Sequence, residues 1–473
     1  VADPKKLEVG KSVAGILIGG DDEWFVSAMA TLEIDRGVRI DIPYLDVPNN
    51  AQYERVRGWF REMKPPPTLV FRSNDMRLSL FDLRWGGHSG TAVSAGKIYA
   101  GEAVYGSRTG ARDDPLELVE LQSQMDALYE WTGFRAAKYE SVTDEDGFVQ
   151  RIEASIETVQ ELTWTQGYAT MQLSSNWSGG GGESLPGLHF DEWTVLRSTF
   201  STPRAIEDHL QEQIKIRLLL AILHGTEISF RRHEIRDERF FPRTGDGRVI
   251  SRSGQEVVSA RTYREVRREP PTAEKIRKCV AYLSQIGSEG LQLWGEHFEQ
   301  WQRVIFPAAA ILSRPRPYME DKVTSLAMCL EAAGHIVGHQ AGEEVTYNAR
   351  SKKPTPTTAT WFYRCLVSTG LDWSRAAASN AGLARAIAKS YIDVKHYHEG
   401  GFSEGAETFL VAQVAEVTVR LLVTNLVAPN KDLSANWQSI VEDALGWFEV
   451  EHLKVADDGC FQQSPVAGAN SSQ

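Results

Sequence analysis

Cysteine is scarce in this chain. Cys279, Cys329, Cys365 and Cys460 are spread through 473 residues, with no Cys-x-x-Cys pair and no histidine partner at zinc-finger spacing. A disulfide framework and a structural zinc site are therefore not expected, and the usage fits a reducing cytoplasm. Positive charge is short as well: 51 Lys and Arg against 63 Asp and Glu give a formal net charge of −12. That excludes a protein that coats nucleic acid electrostatically, so any nucleic-acid contact should be local. Long apolar runs are missing too. The opening V-A-D-P-K-K-L-E-V-G-K has no apolar core of signal-peptide length, and the longest streak, Ile216 to Leu223, is broken by Arg217. Neither a secretory leader nor a membrane span is expected.

Metal and phosphate motifs do not assemble either. His88, His209 and His233 have no ligand spacing, and His335 with His339, four apart, has no clear third ligand. No metal and no cofactor is expected. The run Gly179-Gly180-Gly181-Gly182 is followed by Glu183, Ser184 and Pro186, not by the Lys-Ser or Lys-Thr that a phosphate loop needs. It reads as a flexible loop. There is no internal repeat.

What is present is enough apolar residue, 42% of 473, for more than one domain. Apolar and polar residues alternate from Val13 to Ile42, with turns at Gly19-Gly20-Asp21-Asp22 and Asp35-Arg36-Gly37, which predicts strands. Tyr53 to Met63 has helical spacing and stops at Pro65-Pro66-Pro67; T-L-V-F-R-S and R-L-S-L-F-D-L return to the strand pattern. Leu118, Leu121, Met125 and Leu128 share a helical face, so Asp114 to Tyr129 is expected to be a helix or helical turn. Strands are expected at Arg151 to Thr163 and Tyr168 to Ser174.

A long helix is expected over Ser201 to Leu223, opening on Ser-Thr-Pro, with a strand in I-S-F-R-R-H-E-I after it. The arginines from Arg231 to Arg268 are interleaved with acids, which favours a salt-bridged surface over a nucleic-acid face. Helices are expected at Glu274 to Ile286 and Gly290 to Ile311, and, past Ser313-Arg314-Pro315-Arg316-Pro317, at Tyr318–Val337, Thr358–Thr369, Asn380–Tyr397, Glu407–Val427 and Leu433–Phe448. The fold class is α+β. The expected domains are a β-rich region over 1–200, a mixed, mainly helical continuation over 201–312, a helical bundle over 313–455 and a flexible tail over 456–473.

The stretch from Arg385 to Gly401 carries the densest chemistry: R-A-I-A-K-S-Y-I-D-V-K-H-Y-H-E-G-G. At 3.6 residues per turn, Arg385, Lys389 and His396 fall on one stripe with Asp393 beside them. A basic stripe ending in histidine can meet a phosphate; the bland reading is the solvated face of an amphipathic helix.

The order of these features resembles the ApeA-like family of bacterial anti-phage proteins, which pair a β-containing N-terminal domain with a C-terminal HEPN helical domain. Three segments carry the resemblance: S-T-F-S-T-P-R with the Ile206 to Leu223 helix; W-G-E-H-F-E-Q-W-Q-R-V-I-F-P from Trp294; and M-E-D-K-V-T-S-L-A-M-C-L-E-A-A-G from Met319, which looks like the first HEPN helix. The resemblance implies an RNA-cleaving HEPN motif of arginine followed at a short spacing by histidine, with His396 as its histidine. The matching upstream positions hold Tyr391, Ser390 and Lys389 and no arginine, so Lys389 and Lys395 become the phosphate-binding candidates.

Glu331, on the helix expected to pack alongside, would orient His396 or pair with a lysine. Arg385, Tyr391, Asp393 and His398 are the candidate substrate contacts. The implied partners are RNA, tRNA among the candidates, a phage-derived trigger and a second copy of the chain joined through the bundle. The alternative is an inactive HEPN-type module that binds RNA, a nucleotide or a protein.

Overall fold

The structure, a computed structural model, describes residues 6–19, 25–45, 51–90, 93–106, 108, 114–156, 160–181, 188–266, 268–348, 353–395, 405–429, 431 and 433–464. The chain divides into two units. One comprises Val1–Leu128, Phe134–Gln213 and Ser229–Pro270; the other comprises Tyr129–Gly133, Ile214–Ile228 and Pro271–Gln473. The expected 313–317 boundary lies inside the second unit.

The first unit begins as a closed barrel. Strands β1 (Ser12–Ile18), β2 (Phe25–Glu33) and β3 (Gly37–Leu45) form the predicted meander; helix α1 (Ala51–Arg61) and strands β4 (Thr68–Arg72), β5 (Arg77–Ser89) and β6 (Val93–Tyr105) follow. Antiparallel pairing runs β6-β3-β2-β1-β4-β5, and β5 pairs back onto β6 to close six strands. Closure removes the unpaired edges. The alternation read from the sequence points inward: Val26, Ala28 and Ala30 on β2 and Val38, Ile40 and Ile42 on β3 are buried. Helix α1 contributes Val56 and Phe60 to this core, with the Phe60 ring stacked on Tyr44 at 5.5 Å between centroids.

The same sheet continues beyond the barrel. The further elements are β7 (Glu117–Met125), α2 (Leu128–Thr132), β8 (Ala137–Thr143), β9 (Val149–Ile156), β10 (Glu161–Gln166), β11 (Ala169–Gly181), β12 (Leu188–Ala205), α3 (Ile206–His224), β13 (Phe230–Ile235), β14 (Gln255–Ser259) and α4 (Tyr263–Val266). From β6 the order runs β14-β13-β7-β12-β11-β10, while β8 and β9 make a separate ribbon.

Four expectations are corrected here. Residues 117–125 are strand β7, hydrogen-bonded to β12 on one side and β13 on the other. Sheet pairing on both sides overrode the helical spacing of Leu118, Leu121 and Met125. Ser201 to Arg204 extend strand β12, and the helix starts at Ile206; the register of β12 against β7 shifts between Thr199 and Arg204, which accommodates Pro203 and its missing N–H. Gly179, Gly180 and Gly181 pair with Phe190, His189 and Leu188 as the end of β11, so most of the glycine run is strand. The stretch expected as one strand over 151–163 is two, β9 and β10.

The arginine-rich segment is a salt-bridged surface. Arg231 pairs with Asp126, Arg232 with Glu234 and Glu256, Arg239 with Asp237, and Arg261 with Glu207 and Glu102. Beneath it, His233 is fully enclosed, its Nδ1 2.7 Å from Ser123 Oγ and its Nε2 2.7 Å from Thr262 Oγ1. Burial pushes the His233 pKa down to about 4.

A pH dependence follows. Above the ordinary histidine pKa of about 6.5, folded and unfolded chains are both neutral here and stability is complete. Below it, the unfolded chain takes up a proton that the folded chain refuses until about pH 4, so stability falls as pH drops through that window. Urea titrations at pH 7 and pH 5 should show a loss of about 2 kcal/mol from this group, absent in His233→Gln. An equal pH effect in both proteins would rule His233 out as the cause.

The second unit is helical: to most of α2 and the part of α3 from Ile214 it adds α5 (Ala273–Arg277), α6 (Leu283–Leu312), α7 (Met319–Val337), α8 (Thr358–Ser368), α9 (Asn380–Lys395), α10 (Gly405–Val427) and α11 (Ser434–Val450), then β15 (Leu453–Val455) and β16 (Phe461–Gln463). Helices α7 to α11 lie close to the bounds read from the apolar spacing. Helix α10 packs against α6, α7, α8, α9 and α11. It is long and apolar enough to cross a membrane, contrary to the expectation that no run approaches a span, yet 78% of that apolar window is buried inside the protein, as in a core helix.

Two further corrections fall in this unit. The helix expected over Glu274 to Ile286 breaks after Arg277, because the backbone there is recruited elsewhere: Val280 N–H donates to Leu223 O, and Ala281 O accepts from Trp131 Nε1. The tail expected to be flexible from 456 instead begins with order, since Phe461–Gln463 pairs with Leu453–Val455.

Candidate functional site

The candidate site lies on the last turns of α9. The N-terminal turns of this helix are mostly buried, through Ala381, Leu383, Ala384, Ala386 and Ile387, and its polar residues surface toward the C-terminal end. Lys389 and Lys395 are exposed, and Asp393 is half-buried between them. Lys395 Nζ stands 5.3 Å above the Tyr391 ring, a cation–π contact one helical turn apart. His396 and His398 lie outside the described residues.

Arg385 and Tyr391 have structural positions. The Arg385 guanidinium donates to the backbone carbonyls of Asp457 and Val345, tying α9 to the β15–β16 hairpin and to the turn before α8. Tyr391 is only 5% exposed and meets Phe362 edge-on, so it packs in the core and does not offer a stacking face. Glu331 is half-buried on α7 and makes no hydrogen bond or ion pair among the described residues. The structure thus brings Lys389 and Asp393 to one surface and leaves Glu331 without a bond to either lysine.

Sequence reading missed four neighbours. Ser390, Glu407, Gly459 and Phe461 join Lys389 and Asp393 around a small depression of about 10 Å³, room for about one water. Gly459 has φ +83, and a Cβ there would meet the Cβ of Arg385 at 2.6 Å, so glycine lets the hairpin lie directly on α9. Ser390 is 6% exposed, and its Oγ is buried without a hydrogen-bond partner among the described residues. No spacing rule could have brought Gly459 and Phe461 here, because they arrive from a segment taken for a tail.

A second cluster lies on the same unit. Arg364 donates from Nε and Nη2 to the two carboxylate oxygens of Glu343 at 2.6 and 2.8 Å, and Tyr347 Oη donates to the same carboxylate at 2.6 Å. The hydrogen bond from Arg364 is the main cause that holds Glu343 down at about 2. The face of Trp361 lies 4.5 Å from the Arg364 guanidinium and its ring centroid is 3.9 Å from His335, while His339 Nε2 is 3.2 Å from Glu344 Oε1. Arg364 and Glu343 match one another within the cluster, which makes it a structural knot.

A closed β-barrel extended by an open sheet, together with a helical unit in which one helix end exposes two lysines, makes this an α+β protein. Residues 23–239 match the family ApeA N-terminal domain 1. That match supports the ApeA-like, anti-phage resemblance for the N-terminal region; it takes in α2 and α3 and ends before the helices that follow Pro271. No curated protein and no solved structure matches the chain.

Proposed function

We propose that this chain is a cytoplasmic anti-phage defence protein whose N-terminal region senses a phage-derived trigger or restrains the rest, and whose helical unit, a HEPN-type bundle, cleaves RNA without metal, tRNA among its targets. The observation that carries the reading is the exposure of Lys389 and Lys395 on the last turns of α9, whose sequence continues into His396. The match of residues 23–239 to the ApeA N-terminal domain supplies the defence setting.

The chemistry needs few groups. An RNA 2′-hydroxyl attacks the adjacent phosphorus, the 5′-oxygen of the next nucleotide leaves, and the products carry a 2′,3′-cyclic phosphate and a 5′-hydroxyl. His396 exchanges protons with the attacking or leaving oxygen, and histidine suits this because both of its forms are accessible near its ordinary pKa of about 6.5. The lysines offset charge on the phosphorane as point charges, without the forked geometry of arginine. Pairing of two copies through the bundle would set two such sites together and double the local positive charge of an acidic protein.

One observation favours a second reading, a module that binds RNA or a nucleotide without cutting it. The nearest arginine upstream, Arg385, is committed to the carbonyls of Asp457 and Val345 and is not free to hold a phosphate. Phage challenge separates the two. Cells making the parent protein are expected to lose intact RNA on infection and to limit the phage, whereas cells making His396→Ala at equal level do neither. Protection without RNA loss, unchanged in His396→Ala, would favour the binding module.

A further inference from the structure

Strand β6 carries an acid where the sheet covers it. Glu102 has 8% of its surface exposed and stands opposite Phe81 of β5 on one side and Ser259 of β14 on the other. The Ser259 hydroxyl donates to its Oε1 at 3.1 Å, and its Oε2 is buried with no hydrogen-bond partner among the described residues. An ionised carboxylate is costly in that position, so the group holds a proton in preference to a charge. Burial, the main cause, raises Glu102 to about 8, against the smaller opposing pull of Ser259 and Arg261.

The nearby cations are spent on other acids. Arg84 on β5 holds Asp82 at 2.6 Å. Arg261, just past β14, is anchored by its backbone N–H, which donates to Ser259 Oγ at 3.3 Å. Its side chain grips Glu207 in the first turn of α3, with Nη1 3.0 Å from Oε1 and Nη2 2.9 Å from Oε2. Its Nε stays 3.8 Å from Glu102 Oε1, beyond hydrogen-bond range. Asp82 and Arg84 from β5, with Ser259 and Arg261 from the β14 side, are the groups that act on Glu102. One guanidinium thus stands between two carboxylates and is committed to the outer one.

We propose that Glu102, Arg261 and Glu207 form a proton-operated latch on the start of α3. While Glu102 carries its proton, Arg261 has one charged partner and clamps Glu207. When that proton passes to water, the buried carboxylate attracts the guanidinium more strongly than the exposed one does, because solvent screens it less. Arg261 then closes the remaining gap of about 1 Å to Glu102, and Glu207 is released to solvent. Rising pH therefore opens the latch. Helix α3 begins in the first unit and its chain runs on into the second, so the charge on one covered acid sets how firmly that helix starts. The latch rests on no step of the RNA chemistry.

Backbone hydrogen exchange at residues 210–213, whose N–H groups close the first turns of α3, reads its state once the intrinsic effect of pH is removed. In the full-length protein, protection there is expected to fall about two- to fivefold between pH 7 and pH 9, the size of one exposed ion pair. Glu102→Gln, which keeps the shape and cannot ionise, should retain the pH 7 protection at both values. Glu207→Gln should show the lower protection at both. A general loosening of the sheet by a buried charge would instead leave the pH effect in place in Glu207→Gln.

Carbon-13 NMR of protein labelled at the glutamate carboxyls gives a second readout. One carboxyl is expected to titrate near pH 8 in the parent and to be missing from Glu102→Gln. Equal protection of the parent at pH 7 and pH 9, a fall that persists in Glu102→Gln or Glu207→Gln, or a Glu102 carboxyl that titrates in the ordinary carboxylate range would overturn the proposal.

Discussion

Arg420→Ala is expected to destabilise the helical unit by about 3–5 kcal/mol, the loss typical of breaking a buried, hydrogen-bonded charge. Arg420 lies on α10 with 3% of its surface exposed. Its Nε donates to Ile222 O at 3.1 Å, and its Nη2 donates to Leu223 O at 2.8 Å and Lys278 O at 2.7 Å. Ile222 and Leu223 end helix α3, whose last carbonyls have no partner within the helix. The guanidinium thus closes a helix C-terminus where the dipole favours a cation, and Gly225, at φ +64, leaves it room: a Cβ there would meet Arg420 Nη1 at 2.9 Å.

Alanine would remove the charged donor from all three carbonyls, leaving Ile222 O with Gly225 N–H, Leu223 O with Val280 N–H and Lys278 O without the guanidinium. Glu416, 3.7 Å from Arg420, keeps its stronger partner Lys322 at 2.6 Å, so the loss should come from the carbonyls more than from a stranded acid. Urea unfolding followed by far-ultraviolet circular dichroism measures this. Arg420→Lys should fall between the two, since one ammonium cannot span three acceptors in that fork. A change below about 1 kcal/mol for alanine would mean that water reaches these carbonyls and that Arg420 is dispensable.

Phe60→Ala is expected to cost the barrel about 3–5 kcal/mol, and Gly96→Ala to cost about 1–3 kcal/mol or more. The Phe60 ring sits so close to β6 that a Cβ built on Gly96 would lie 1.9 Å from it. Either the ring or the strand must move, and β6 is held on both sides by β3 and β5. The two changes should therefore couple. In Phe60→Ala the added methyl enters the vacated space, so the double variant is expected to be more stable than the sum of the single losses predicts. Additive losses in the four-protein cycle would show that the ring and Gly96 do not share that space.

The elements that were legible in the sequence are those whose burial matches their own periodicity. Strands β2 and β3 bury alternate residues in a barrel, and α7 to α11 bury one face each or, for α10, most faces. Strand β7 was not legible, because it lies within the sheet: Leu118, Leu121, Gln122 and Ser123 are buried together, and the apolar subset of them falls at helical spacing. The break after Arg277 was invisible for a related reason, as its cause is Leu223 and Trp131, far away in the chain. At the candidate site, helical geometry set Arg385, Lys389 and His396 on one stripe with Asp393 beside them, and of these Lys389 and Asp393 line one depression. It could not show that Arg385 spends its donors on Asp457 and Val345, or that Tyr391 is buried, because both facts depend on segments joined by tertiary packing.

The central claim, metal-independent RNA cleavage by the helical unit, is tested most directly by incubating the purified protein and its His396→Ala variant with total bacterial tRNA in EDTA and reading the fragment ends. The account predicts fragments ending in 2′,3′-cyclic phosphate from the parent protein, strengthened by phage-infected lysate and absent from His396→Ala. Intact tRNA with the parent protein, with and without infected lysate, would contradict it and leave the helical unit as a binding module.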